Sequence, residues 1–142
     1  MDNEQLLNRM QQNIQMVLET IPEIQKNASD HGLKSDLASQ ESLYRDFLSR
    51  IRKTMDDNGY EIDSVNEFLK LYSEWMTKIK AMTDNSASHL AELCIEGYTM
   101  GMVKALQDRH QFSNAARESL ALALELADLH QKRIVCLEQY LC

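Results

Sequence analysis

Proline occurs once and glycine four times in 142 residues, so the chain carries almost none of the punctuation that a β-rich fold needs. Its three cysteines, Cys94, Cys136 and Cys142, are an odd number without Cys-x-x-Cys or other zinc-ligand spacing, and this usage predicts a reducing compartment. The opening residues, MDNEQLLNRMQQ, have neither a charged n-region nor an apolar h-region. They predict a protein without a secretory leader, located in the cytoplasm. Charged or amide side chains interrupt every apolar run well before the roughly 18 residues needed to cross a bilayer, so no membrane span is expected.

Positive charge is the other scarcity. Fifteen Lys and Arg stand against 22 Asp and Glu, a net charge of -7, whereas a polyanion binder needs clustered cations to displace phosphate counterions. The densest cationic group, Arg50, Arg52 and Lys53, falls near a predicted helix end, where positive charge complements the helix dipole. No nucleic-acid partner is expected. Glycine-rich phosphate loops and serine-triad signatures are missing as well.

What is present is helical. With 44% hydrophobic residues, residues 1–142 suffice for one domain, which at this size buries about 70% of the surface its unfolded chain exposes. Leu6, Met10, Ile14, Val17, Ile21 and Ile24 recur at steps of three and four, which predicts an amphipathic helix from Asn3 to Lys26. Pro22 removes one backbone hydrogen bond and crowds the carbonyl of Leu18, so a kink is expected there. Ser29 or Asp30 can cap a second helix with the stripe Leu33, Leu37, Tyr44, Phe47, Ile51 and Met55. Gly59, in DDNGY, fits the left-handed position just past its end.

Ser64 and Glu67 have the spacing of a capping box for the next start. The apolar phase then runs through Val65, Phe68, Tyr72, Trp75, Ile79 and Met82 into Ser86, His89, Leu93, Gly97 and Met100. TDNSAS makes a poor helix interior because its short polar side chains compete for backbone hydrogen bonds. Residues 65–108 therefore read as either one long bent helix or two, and a shorter helix followed by a long one, broken near Thr83 to Asn85, is favoured. Ser113 is the expected cap of a last helix carrying Leu120, Leu124, Ala127, Ile134, Leu137 and Leu141. A second row, Leu122, Leu126 and Leu129, widens its apolar surface, as suits either the most buried helix or one that also faces a partner. The expected architecture is an all-α antiparallel four-helix bundle, with an extra short helix between the second and third long ones.

This layout of a short first joint, a Gly-terminated second helix, a longer connection of helical character and then SASHLAELCIEGYTMGM resembles small bacterial proteins with a ferritin-like bundle, for which no activity is assigned. The resemblance spans nearly the whole chain. What it implies, in active members of such folds, is a di-iron or di-manganese centre held by a Glu from each of two helices and a Glu-x-x-His pair from each of the others. Here Glu41-x-x reaches Tyr44, Glu92-x-x reaches Ile95 and Glu125-x-x reaches Asp128, so no Glu-x-x-His pair exists. The nearest substitute is the reversed His89-x-x-Glu92, with Glu19 or Glu23, Glu41 and Glu125 from the other helices and His130 just beyond. The alternative reading of the chain is thus a degenerate metalloprotein in which Glu19, Glu41, His89, Glu92 and Glu125 converge. Against it stands His89 as a packing-seam histidine bonded to a neighbouring helix.

A phosphorelay histidine domain is a poor fit, because Glu92 and Leu93 occupy the places where that family carries a lysine and a glycine, and a carboxylate repels phosphate. Cys94, flanked by Glu92 and Glu96, is expected to be an unreactive core thiol. Gly97 and Gly101 remove side chains from one helical face, which predicts the close crossing of another helix. The third region's methionines, Met76, Met82, Met100 and Met102, suit either core filling or an adaptable surface. The sequence thus predicts a non-enzymatic interaction or binding module with no catalytic residue, no cofactor and no intact metal site. The expected partners are a second copy, as a homodimer, and an unidentified protein.

Overall fold

The computed structural model describes residues 1–63 and 65–141. Among them are five α-helices and no strand: α1 (Asp2–Gln25), α2 (His31–Asp57), α3 (Leu69–Ala81), α4 (Ala87–Gln111) and α5 (Arg117–Leu137), closed by a 3₁₀ turn, Glu138–Tyr140. The chain is all-α, and no helix among the described residues is long and apolar enough to cross a membrane.

The first two helices follow their sequence patterns closely. Every residue of both predicted stripes is buried, and burying one such Leu, Ile or Phe contributes about 1.5–3 kcal/mol. Asp30 caps α2 by accepting the Leu33 amide at 2.9 Å, and Gly59 sits at φ +71° beyond its end, a conformation that costs a side-chain-bearing residue energy. Helix α1 runs on through Pro22. The proline stands in the last turn, where only the Leu18 carbonyl loses its partner and the Lys26 amide still reaches the Pro22 carbonyl at 3.1 Å.

The second half departs from its predicted pattern in several places. The break between α3 and α4 falls at residues 82–86, so residues 65–108 form two helices. Helix α3 begins at Leu69 after an uncapped Phe68. Ser64 of the expected capping box lies outside the described residues. Glu67 precedes the helix, and its backbone amide donates to Gln12 Oε1 at 3.1 Å. Helix α5 starts after Ala116 with no side-chain cap, three residues beyond the expected Ser113. Its buried face holds Leu122 and Leu126, the row assigned second place, together with Ser119, Ala123, Ala127, His130 and Leu137. Leu124 and Leu141 of the expected stripe are exposed. The apolar surplus on this helix had two admissible phases, and the small residues Ser119 and Ala123 marked the right one by allowing the close approach of α4.

Polar contacts set the register between elements. Along α1, Asn3 Oδ1 accepts from the Ala116 amide, Arg9 pairs with Asp108, and Asn13 Nδ2 donates to the Gly101 carbonyl. Along α2, Tyr44 meets His130 and Arg50 pairs with Glu125. Arg50, Arg52 and Lys53 are more than one turn short of the end of α2 at Asp57. They are engaged by Glu125, Gln11 and Asp57 respectively rather than by the helix dipole.

The connection after α2 is fastened by side-chain amides. Asn8 accepts from the Asp63 amide and donates to the Glu61 carbonyl. Gln12 donates to the Val65 carbonyl and accepts from the Glu67 amide. Two amide side chains on α1 thus stand in for a neighbouring backbone and satisfy groups that would otherwise need water.

Candidate functional site

The interior contains one cluster of polar side chains drawn from four helices: Asn13 of α1, Gln40 and Tyr44 of α2, Tyr98 of α4 and His130 of α5, all buried. Each continues the buried row of its own helix. His130 stands four residues after Leu126 and three after Ala127, so the 3.6-residue period carries it inward. The Tyr44 and Tyr98 rings stack at 5.7 Å between centroids and 11° between planes, and the imidazole lies tilted against both at 5.3 and 5.9 Å.

The hydrogen bonds assign the proton on the imidazole. Asn13 Nδ2 is spent on the Gly101 carbonyl at 2.9 Å, an acceptor only, so Asn13 Oδ1 faces His130 Nε2 at 2.9 Å and must accept from it. Nε2 carries the proton. Nδ1 is then left as an acceptor, and the Tyr44 hydroxyl donates to it at 2.7 Å. Tyr98 donates its hydroxyl to Gln40 Oε1. Burial holds the His130 pKa down at about 3 and pushes both tyrosine hydroxyls well above their ordinary range, against a smaller opposing pull from Arg133. A neutral histidine with both ring nitrogens engaged has no free lone pair for a metal or a substrate.

The five residues considered as metal ligands do not meet. Glu19, Glu92 and Glu125 are exposed. Glu41 pairs with Arg45, and Glu125 is held by both terminal nitrogens of Arg50. His89 lies half-buried in the first turn of α4, where its backbone amide bonds to the capping Ser86, so it is not the seam histidine. Among the described residues no three His, Cys, Asp or Glu side chains come together to hold an ion. The residues present do not fit a di-metal centre.

The glycines do what the sequence asked of them by another means. A Cβ at Gly97 would stand 1.8 Å from the Trp75 ring, and one at Gly101 would stand 2.8 Å from His130 Nε2. Side chains, rather than the backbone of a crossing helix, fill both notches. The Trp75 indole N–H donates to the Leu93 carbonyl at 3.1 Å, which fixes α3 across α4. Cys94 is an interior thiol whose pKa rises to about 12. Burial, rather than Glu92 or Glu96, is the cause. Cys136 is half-buried, and Cys142 lies outside the described residues.

Sequence reasoning passed over His130 as a core residue, although its place in the row Ser119, Leu122, Leu126 was the available signal. It also missed Asn13, because an asparagine on a helix reads as surface until its neighbours are known. Comparison with protein-family models, with curated proteins and with solved structures returns no match. The fold and the site define an all-α protein with a buried polar cluster in which both ring nitrogens of His130 are engaged and Gln40 Nε2 is left without a hydrogen-bond partner.

Proposed function

We propose that this protein is a non-enzymatic interaction module, a ferritin-like antiparallel four-helix bundle built from α1, α2, α4 and α5, which acts through its surface as a homodimer in the cytoplasm. The observation that carries this reading is the saturation of His130 by Asn13 and Tyr44. Ferritin-like enzymes draw ligands from all four helices to one interior level. Here the four helices supply two amides, two phenols and a neutral imidazole, which engage both ring nitrogens of the imidazole and offer no carboxylate.

The topology is supported by the order of contacts. Moving forward along α1, the partners step backward through Ala116, Asp108 and Gly101. Moving forward along α2, they step backward from His130 to Glu125. Helices α2 and α4 then run the same way, and the long connection that carries α3 is the crossover that ferritin-like bundles contain. The net charge of -7 supports a protein partner over a nucleic acid.

Metal content measured by mass spectrometry, on protein purified without chelator or affinity metal, tests the reading. Protein free of iron and manganese is the expected result. Near-stoichiometric iron or manganese would overturn it.

A further inference from the structure

Helix α3 is held to the fold by less than the other four helices are. It is the shortest, at 13 residues, and an isolated helix of that length is marginal in water, so α3 is helical because it is docked. Its N-terminus has no side-chain cap. It buries Trp75, Met76 and Ile79, with Phe68 just before it. Two of its side chains hydrogen-bond to another helix, both to α4: the Trp75 indole to the Leu93 carbonyl and Lys78 to Glu96. The second is an exposed ion pair, which contributes little. Towards α1, Tyr72 comes near Glu19 and Glu23.

The two joints of α3 differ. Residues 61–67, before it, are pinned to α1 by Asn8 and Gln12. Residues 82–86, after it, begin and end in extended backbone, with ψ 143° at Met82 and 151° at Ser86. The side-chain hydrogen bond there is local, Asp84 accepting from the Ser86 amide. A helix between non-helical joints, one of them fastened, can leave as a unit without unwinding α2 or α4.

We infer that α3 is a strap that opens as one unit while α1, α2, α4 and α5 stay folded, and that Trp75 in the Gly97 notch is its clasp. A Cβ at Gly97 would meet three atoms of the indole ring at 1.8, 2.0 and 2.5 Å, so the ring occupies the space that any other residue at position 97 would fill. Opening bares that notch, an aromatic-sized recess beside the Leu93 carbonyl, which the closed chain fills with its own side chain.

Trp75 is the chain's one tryptophan, so its fluorescence reports on the clasp. Gly97→Ala closes the notch while giving α4 a better helix former. The variant is expected to show red-shifted emission open to acrylamide quenching. Its helix signal should fall by no more than the 13 residues of α3 account for, and the remainder should melt in one cooperative transition. Emission that stays buried, or α3 amides that stay protected, would show that the notch is not the clasp and overturn the inference. Loss of all cooperative structure would overturn it too, by making strap and core one unit. In the wild type, native-state hydrogen exchange should find the amides of residues 75–79 opening together, at least about tenfold less protected than those of residues 7–17 in α1. Equal protection would overturn the strap.

Discussion

The pairs α1–α2 and α4–α5 are both close helix contacts built from different materials. On α1 and α2 the buried apolar side chains are large, Leu6, Met10, Ile14, Val17 and Ile21 on the one and Leu33, Leu37, Ile51 and Met55 on the other. On α4 and α5 many of the buried residues are small: Ala91, Gly101, Ala105, Ser119, Ala123 and Ala127. Large side chains interdigitate and fill their own space. Small ones let the helices approach but leave notches, and here larger side chains fill them: Trp75 of α3 at Gly97, and His130 of α5 together with Asn13 of α1 at Gly101. An aliphatic seam therefore fills its own space, whereas the glycine notches of α4 depend on specific large side chains, two of them from other helices.

The comparison breaks most visibly at Trp75. Trp75→Ala should destabilise the protein by about 3–5 kcal/mol in a denaturant titration, through lost contacts and the cavity left over Gly97. A cost under about 1 kcal/mol would mean that α3 is not anchored through that notch.

His130→Leu comes next, at about 2–4 kcal/mol, since it keeps the bulk of the side chain but strands the buried Tyr44 hydroxyl and Asn13 carbonyl. The same residue gives the protein a pH dependence. His130 has a folded pKa of about 3 against 6.5 for the unsheltered group, so between those values the unfolded chain binds a proton that the folded chain does not. Stability then falls as pH drops below 6.5, with a slope of up to about 1.4 kcal/mol per pH unit from this residue alone. Denaturation midpoints from pH 7 to 4 should fall less steeply in His130→Leu than in the wild type.

The smallest effect sharpens the contrast. Ile51→Leu, in the aliphatic pair, conserves volume and strands no polar group, so it should cost less than about 1.5 kcal/mol. A loss as large as that at His130 would show that the aliphatic seam is no more tolerant than the small-residue one.

The same contrast explains what was legible in the sequence. Large apolar residues at helical spacing announce themselves, and so Leu6 to Ile24 and Leu33 to Met55 were readable one by one, as was Gly59, while the cap of α2 was narrowed to Ser29 or Asp30 and is Asp30. On α5 apolar residues occupy more than one face, and periodicity chose Leu124 over Leu122. The polar cluster was illegible because its members are scattered over four helices, at positions 13, 40, 44, 98 and 130, and none forms a local motif. His89 drew attention through its nearness to Glu92, although local spacing brings together only residues of one helix face. The fastening of residues 61–67 by Asn8 and Gln12 was hidden for the same reason, since side chains of one helix there satisfy a backbone some 53–55 positions away.

The account turns on His130 being neutral, protonated at Nε2 and closed off between Asn13 and Tyr44. Nitrogen-15 NMR of the imidazole side chains from pH 8 to 4.5 tests this directly. The account predicts one histidine fixed in the Nε2–H tautomer and unchanged across the range, identified as His130 by its disappearance in His130→Leu. A His130 that titrates near pH 6.5, or that carries its proton on Nδ1, would contradict it.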